Sequence, residues 1–142
     1  MQVEMDDYGG AKDLAGYRID VAKQDLASAV KNLEDGEYRT ANNRAYYAIY
    51  HAITACLALE HKAYKTHGQT IGAFNKEFIH TGVFSTEYGK KIKEAQDVRH
   101  SSDYDDFYVV SKDSNRIQVE NAKEIVGVIE EYILFQISEG EK

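Results

Sequence analysis

The sequence predicts an all-α fold, a bundle of two long helices, two shorter ones and a long last one with short connections. Three observations lead there. The 142 residues contain no proline, the residue that removes a hydrogen bond and clashes with the preceding turn inside a helix. Long stretches repeat apolar residues three and four apart, the spacing that lines one face of a helix. Glycines then fall where those stretches end, as in LEDGEY and IHTGVF, because glycine takes the left-handed conformation past a helix end at low cost. The length suits a single domain over residues 1–142, with its core between about 12 and 138, and allows a sizeable buried core.

The segments follow in order. The first helix is predicted from about Lys12 to Asp35, between Gly9-Gly10 and Gly36, with Ala22, Leu26, Ala29 and Leu33 at helical spacing and Leu14, Tyr17 and Val21 extending the stripe. The second runs from about Tyr38 to His61. The third, from about Gly68 to His80, follows KTHGQ, where Thr66 and Gln69 stand as a capping box would have them. A fourth, polar and lysine-rich, runs from Ser85 or Thr86 to about Ser102. After DYDDFYVV a fifth runs from about Ser111 to Ser138 on a stripe of Ala122, Ile125, Ile129, Tyr132 and Ile133. The only short strand candidate is FYVV, residues 107–110.

The second helix holds the most chemistry, in the stretch NRAYYAIYHA (43–52). Tyr46, Ile49, Tyr50, Ile53, Cys56 and Leu57 share one side at 100° per residue, and Ala45, Ala48, Ala52 and Ala55 make a strip where another helix approaches closely. Such a helix is expected at the centre of the bundle. Arg44, Tyr47 and His51 share a third side. An arginine beside a packing surface needs its donors paired or wet, so two readings stand. In one, Arg44 and His51 are satisfied by carboxylates, Asp103 being the obvious candidate. In the other, they line a polar cleft that binds an anion.

Two further segments are polar. YKTHGQ (64–69) sets Lys65 and His67 at a helix start, where backbone N–H groups favour an anion; a capped, solvated helix end is the plainer alternative. DVRHSSDYDDFY (97–108) puts Arg99 and Asp103 four apart, so on a continuing helix they pair. The five histidines lack metal-ligand spacing, because His100 and Asp103 have no second pair to join. There is no glycine-rich phosphate loop and no G-x-S-x-G. No metal or cofactor is implied, and any chemistry falls to Arg, His, Tyr and Asp.

The net charge of -7 and pI near 5.2 argue against a general nucleic-acid coat while leaving room for a local basic groove. Cys56 stands alone, which points to a reducing compartment. No apolar run reaches bilayer length, and MQVEMDDYGG has no secretion signal. The expectation is a cytoplasmic protein with no membrane association.

NRAYYAIYHA, then KTHG, then GAFNKEFIHTGVF, then VRHSSDYDDF, in that order, resemble the HEPN-domain proteins of bacteria and archaea, in their stand-alone branch, over about Leu14 to Tyr132. The resemblance implies an up-and-down bundle of four to five helices, usually a homodimer, often paired with a minimal nucleotidyltransferase in a toxin–antitoxin module acting on RNA. The best understood HEPN toxins are metal-independent endoribonucleases. Their motif is an arginine followed after four to six residues by a histidine, often with a tyrosine two further on. Histidine moves the proton of the RNA 2′-hydroxyl, and arginine stabilises the charge that develops on phosphate.

This sequence departs from that motif. Its matching segment is Arg99, His100, Asp103 and Tyr104, and aspartates (Asp105, Asp106) follow where the histidine is due. Two expectations follow. In one, Arg99 binds phosphate and His51 or His100 handles the proton, with Asp103 beside them. Arg44, Tyr47, His51, Arg99, Asp103 and Tyr104 then form one cluster, with Lys65 and His67 at its rim as phosphate- or nucleotide-binding residues. In the other, the protein is a non-catalytic binding or regulatory partner of a nucleotidyltransferase or binds a nucleotide or other anion, and Tyr104 is the candidate for adenylylation.

Overall fold

The computed structural model describes residues 2–3 and 10–140, with side chains from 10 to 139. Helix α1 spans Gly10–Glu34, α2 Tyr38–Leu59, α3 His67–Phe74, α4 Thr86–Tyr104 and α5 Lys112–Gly140. The all-α bundle is as the sequence predicts, and each predicted segment matches one helix within a few residues. Two features were not legible. A two-residue antiparallel ladder pairs β1 (Gln2–Val3) with β2 (Ala63–Tyr64), whereas FYVV forms no strand and lies in the irregular connection between α4 and α5. The third segment is also not uniform: α3 continues into a π-helical turn, Asn75–Ile79, closed by His80 N–H donating to Asn75 C=O at 2.8 Å. The wider turn lets Phe78 and Ile79 both sit buried.

Helix α2 is the centre. It packs against α1, α3, α4 and α5, and its alanines at 45, 48, 52 and 55 are all buried. With no side chain beyond Cβ, they let α1 and α5 lie close. The buried seam of α1 is Ala15, Ile19, Ala22 and Ala29, and Tyr17, expected on that stripe, is instead 65 % exposed. The stripe of α5 is as predicted, with Ala122, Ile125, Ile129 and Ile133 buried and Tyr132 packed at its edge.

Helix ends are closed by their own backbone. At the end of α1, Glu37 N–H reaches Asn32 C=O at 2.8 Å across Gly36, which has φ +78°. The end of α2 closes the same way, Lys62 N–H reaching Leu57 C=O at 3.0 Å, with His61 taking the left-handed place (φ 59°) that glycine usually fills. At the start of α3, Thr66 caps by accepting from Gln69 N–H at 3.1 Å. A dry aromatic group joins the π turn to α5: Phe74, Phe78 and Phe84 pack on one another, and Tyr132 meets Phe78 and Phe84 edge-on at 5.8 and 5.4 Å. Among the described residues, no helix is long and apolar enough to cross a membrane.

Candidate functional site

The polar side of α2 carries two linked clusters. In the first, Arg44 and His51 lie seven residues apart on one face and meet a single carboxylate. Asp25 of α1 accepts from Arg44 Nη1 at 3.0 Å with one oxygen and lies 2.9 Å from His51 Nδ1 with the other. Asp103 was the expected partner, but Asp25 holds both groups. Its signal was present in the sequence: Ala22, Asp25, Leu26 and Ala29 follow helical spacing, so a carboxylate interrupts the buried seam of α1. Such a carboxylate is kept only if paired.

The second cluster surrounds Tyr46, Tyr47 and Tyr50. His67, at the first turn of α3, stacks on Tyr50 with centroids 4.1 Å apart and on Tyr46 at 5.8 Å, and Tyr47 meets it edge-on at 5.8 Å. Its Nδ1 lies 2.9 Å from the Tyr46 hydroxyl. From α4, Arg99 sits over the rings of Tyr46 (4.9 Å) and Tyr47 (5.4 Å) and donates to the Tyr47 hydroxyl at 3.3 Å. These are favourable cation–π distances. Arg44 lies over the same Tyr47 ring at 5.2 Å, so Tyr47 joins the two clusters and both guanidiniums lie on one side of the bundle.

Burial sets the protonation states. It lowers the His67 pKa below 6.5, with the Arg99 charge and then His51 adding to the effect. It pushes the Tyr46 phenol up to about 12, against the opposing pull of Arg99. His67 is therefore a neutral imidazole and Tyr46 a neutral phenol at neutral pH. Among the described residues, the His67 Nε2 makes no hydrogen bond.

The other expected residues separate. Asp103 does pair with Arg99, but at 3.5 Å to Nε, and that Nε is buried without a hydrogen-bond partner. Tyr104 stays outside the cluster: it is 72 % exposed, its ring against His100 at 4.9 Å. Lys65 is exposed and makes no contact with the cluster among the described residues. His67, expected at the rim, is instead inside. A cleft of about 270 Å³ opens beside Arg99, and Tyr46, His67, Lys93 and His100 line it. His51 does not line it; His51 faces a different cavity, with Tyr50 and Thr70.

Arg39, which no sequence motif marks, ties the connection after α4 to the start of α2. It donates to Ser102 C=O and, at 3.5 Å, to Tyr108 C=O. This fixes the end of the helix that carries Arg99. Beneath it, buried Asn115 donates to Tyr38 C=O at 3.1 Å and to the Asn42 side chain at 2.5 Å. No group of three His, Cys, Asp or Glu side chains converges as a cation site among the described residues.

The family model described as the HEPN domain matches residues 15–132. A UPF0332 protein of Archaeoglobus fulgidus is 35 % identical over 96 residues, covering 68 % of this chain and 76 % of its own. A UPF0332 protein of Thermotoga maritima is 27 % identical over 112 residues, covering 79 % and 85 %. A protein of Methanocaldococcus jannaschii that carries the name "Putative toxin" is 34 % identical over 86 residues, covering 61 % and 64 %.

Proposed function

This chain belongs to the HEPN-domain family, and we propose that it is a toxin-type member that cleaves RNA, with Arg99 binding phosphate and His67 moving the proton. One observation carries the reading: a guanidinium held by two tyrosine faces and a neutral imidazole share one open cleft. The name of the Methanocaldococcus relative supports the toxin part. His67 here takes the place of the absent motif histidine, in preference to His51, which is held on Asp25, and to His100, which is exposed.

In the acting tautomer, His67 donates Nδ1–H to the Tyr46 oxygen and keeps the Nε2 lone pair. The RNA 2′-oxygen attacks the adjacent phosphorus as His67 takes its proton. The bond from phosphorus to the 5′-oxygen breaks, and that oxygen takes a proton from solvent or His100. The products are a 2′,3′-cyclic phosphate and a 5′-hydroxyl. Arg99 stabilises the charge on the phosphoryl oxygens. RNA's own hydroxyl is the nucleophile, so no activated water is needed.

The test is end-group analysis of cleaved RNA. Cyclic phosphate ends from the wild type, with a rate at least about a hundredfold lower in His67→Ala, are expected for a lost general base. Because burial lowers the His67 pKa from the usual 6.5, the acid limb of kcat/KM is expected to fall below pH 6.5. Linear 3′-phosphate as the first product, or an unchanged rate in His67→Ala, contradicts the assignment.

A second reading concerns Tyr104. Its hydroxyl is exposed and without a hydrogen-bond partner among the described residues, on the helix that carries Arg99. This favours modification by a nucleotidyltransferase partner: the phenolic oxygen attacks the α-phosphorus of ATP, pyrophosphate leaves and the phenolic proton goes to solvent. Phe107 and Val109, 92 % and 82 % exposed, give the same connection an apolar surface suited to a partner chain, whether that enzyme or a second copy in a homodimer. The expected sign is an adenylyl mass increase on Tyr104, absent in Tyr104→Phe; no increase with an active partner enzyme present counts against it.

A further inference from the structure

The cavity that His51 faces is separate from the Arg99 cleft, and the RNA reading does not use it. It holds about 160 Å³ between α1, α2, α3 and the β2 segment. Its wall is apolar at Leu57, Ala58 and Ala63, and Arg18 and Lys62 bring positive charge to it. The two cations differ. Lys62 is engaged by Glu77, with Glu60 at 3.6 Å. Arg18 is half-buried and makes no ion pair or hydrogen bond among the described residues. A half-buried guanidinium beside a cavity, with no carboxylate holding it among the described residues, has donors to offer to whatever fills the space.

We propose that this cavity binds a compact organic anion about the size of benzoate, its anionic group on Arg18 and its apolar body against Leu57 and Ala58. Size and chemistry both bear on this. A cavity of about 150 Å³ lined by apolar groups accepts benzene, so the space takes one ring or a short branched chain but not a nucleotide. A wall that is apolar at Leu57, Ala58 and Ala63, beside a guanidinium unpaired among the described residues, matches a ligand with one charged end and an apolar body. A bare inorganic anion would leave Leu57, Ala58 and Ala63 without a partner.

The site also touches the functional cluster. Tyr50 and His51 form part of its wall; Tyr50 stacks on His67, and His51 is bound to Asp25. The binding test below does not depend on any activity of that cluster.

Titration of the whole chain with benzoate, phenyl phosphate and neutral benzyl alcohol, followed by amide NMR, tests the proposal. Benzoate is expected to bind at about 1 mM or tighter, within the ceiling for so small a ligand. It should shift the amides of Leu57, Ala58 and Ala63. Arg18→Gln should weaken binding about tenfold or more, and Arg99→Ala should leave it unchanged. Binding of phenyl phosphate in place of benzoate, with the same dependence on Arg18, identifies a phosphate ester head group and also supports the site. Equal binding of benzyl alcohol, unchanged affinity in Arg18→Gln, shifts confined to the Arg99 cleft, or no binding up to about 10 mM overturns it.

Discussion

Two arginines lie over the same tyrosine and have different surroundings. Arg44 and Arg99 approach the Tyr47 ring at 5.2 and 5.4 Å. Arg44 is held by Asp25 at 3.0 Å, and the same carboxylate holds His51. Arg99 pairs with Asp103 only at 3.5 Å and donates to the neutral Tyr47 hydroxyl at 3.3 Å, and it has a buried Nε without a hydrogen-bond partner and an open cleft beside it. A closely paired cation has spent its donors on the fold, whereas a poorly paired one, fixed by aromatic faces, keeps them for a ligand. On the proposed reading, the Asp25 cluster serves the fold and the Arg99 cluster serves the ligand.

The largest effect that separates them is on catalysis. Arg99→Ala is expected to lower kcat/KM for RNA by about 10²–10³-fold, as for loss of one preorganised donor to a developing oxyanion, with little change in thermal unfolding. Next comes Asp25→Ala, which strands Arg44 and His51 together. It is expected to cost about 2 kcal/mol in urea unfolding, reduced from the fully buried case because both partners are partly solvated. A loss under about 0.5 kcal/mol would remove the structural assignment of that cluster.

Two smaller effects sharpen the contrast. Thr66→Ala removes the cap of the helix that presents His67 and should cost about 1 kcal/mol, with His67 ring resonances broadened in NMR spectra. Asp103→Ala should change stability by no more than about 0.5 kcal/mol, since its pairing with Arg99 is long at 3.5 Å and both side chains keep partial contact with solvent. A larger loss would make the Arg99 pairing as structural as that of Arg44.

The helices were legible because their information is local. Apolar spacing, the Thr66 cap and the glycines at 36 and 82 each act within a few residues. The π turn was not, because Asn75–Ile79 reads as ordinary helix and its wider turn suits the packing of Phe78, Ile79 and Gly89, where an added Cβ would lie 3.2 Å from Ile79. The site was legible in part. Arg44, Tyr47 and His51 share a side through their spacing on α2, and Arg99 of α4 reaches Tyr47 because α2 is central, which its alanine strip foretold. Which histidine meets Arg99 depends on where α3 begins against α2, a tertiary fact that no spacing encodes. Asp25 was readable in principle, as an acid on a buried seam, but its partners were 19 and 26 residues away.

The most direct test sets Arg99→Ala beside Arg44→Gln in one chelator-containing cleavage assay on a mixed tRNA and mRNA pool. The account predicts cutting by the wild type, loss of cutting in a normally folded Arg99→Ala, and retained cutting per folded molecule in a less stable Arg44→Gln. Equal loss in both, or no cutting by a folded wild type, would contradict the division between a structural arginine and a functional one.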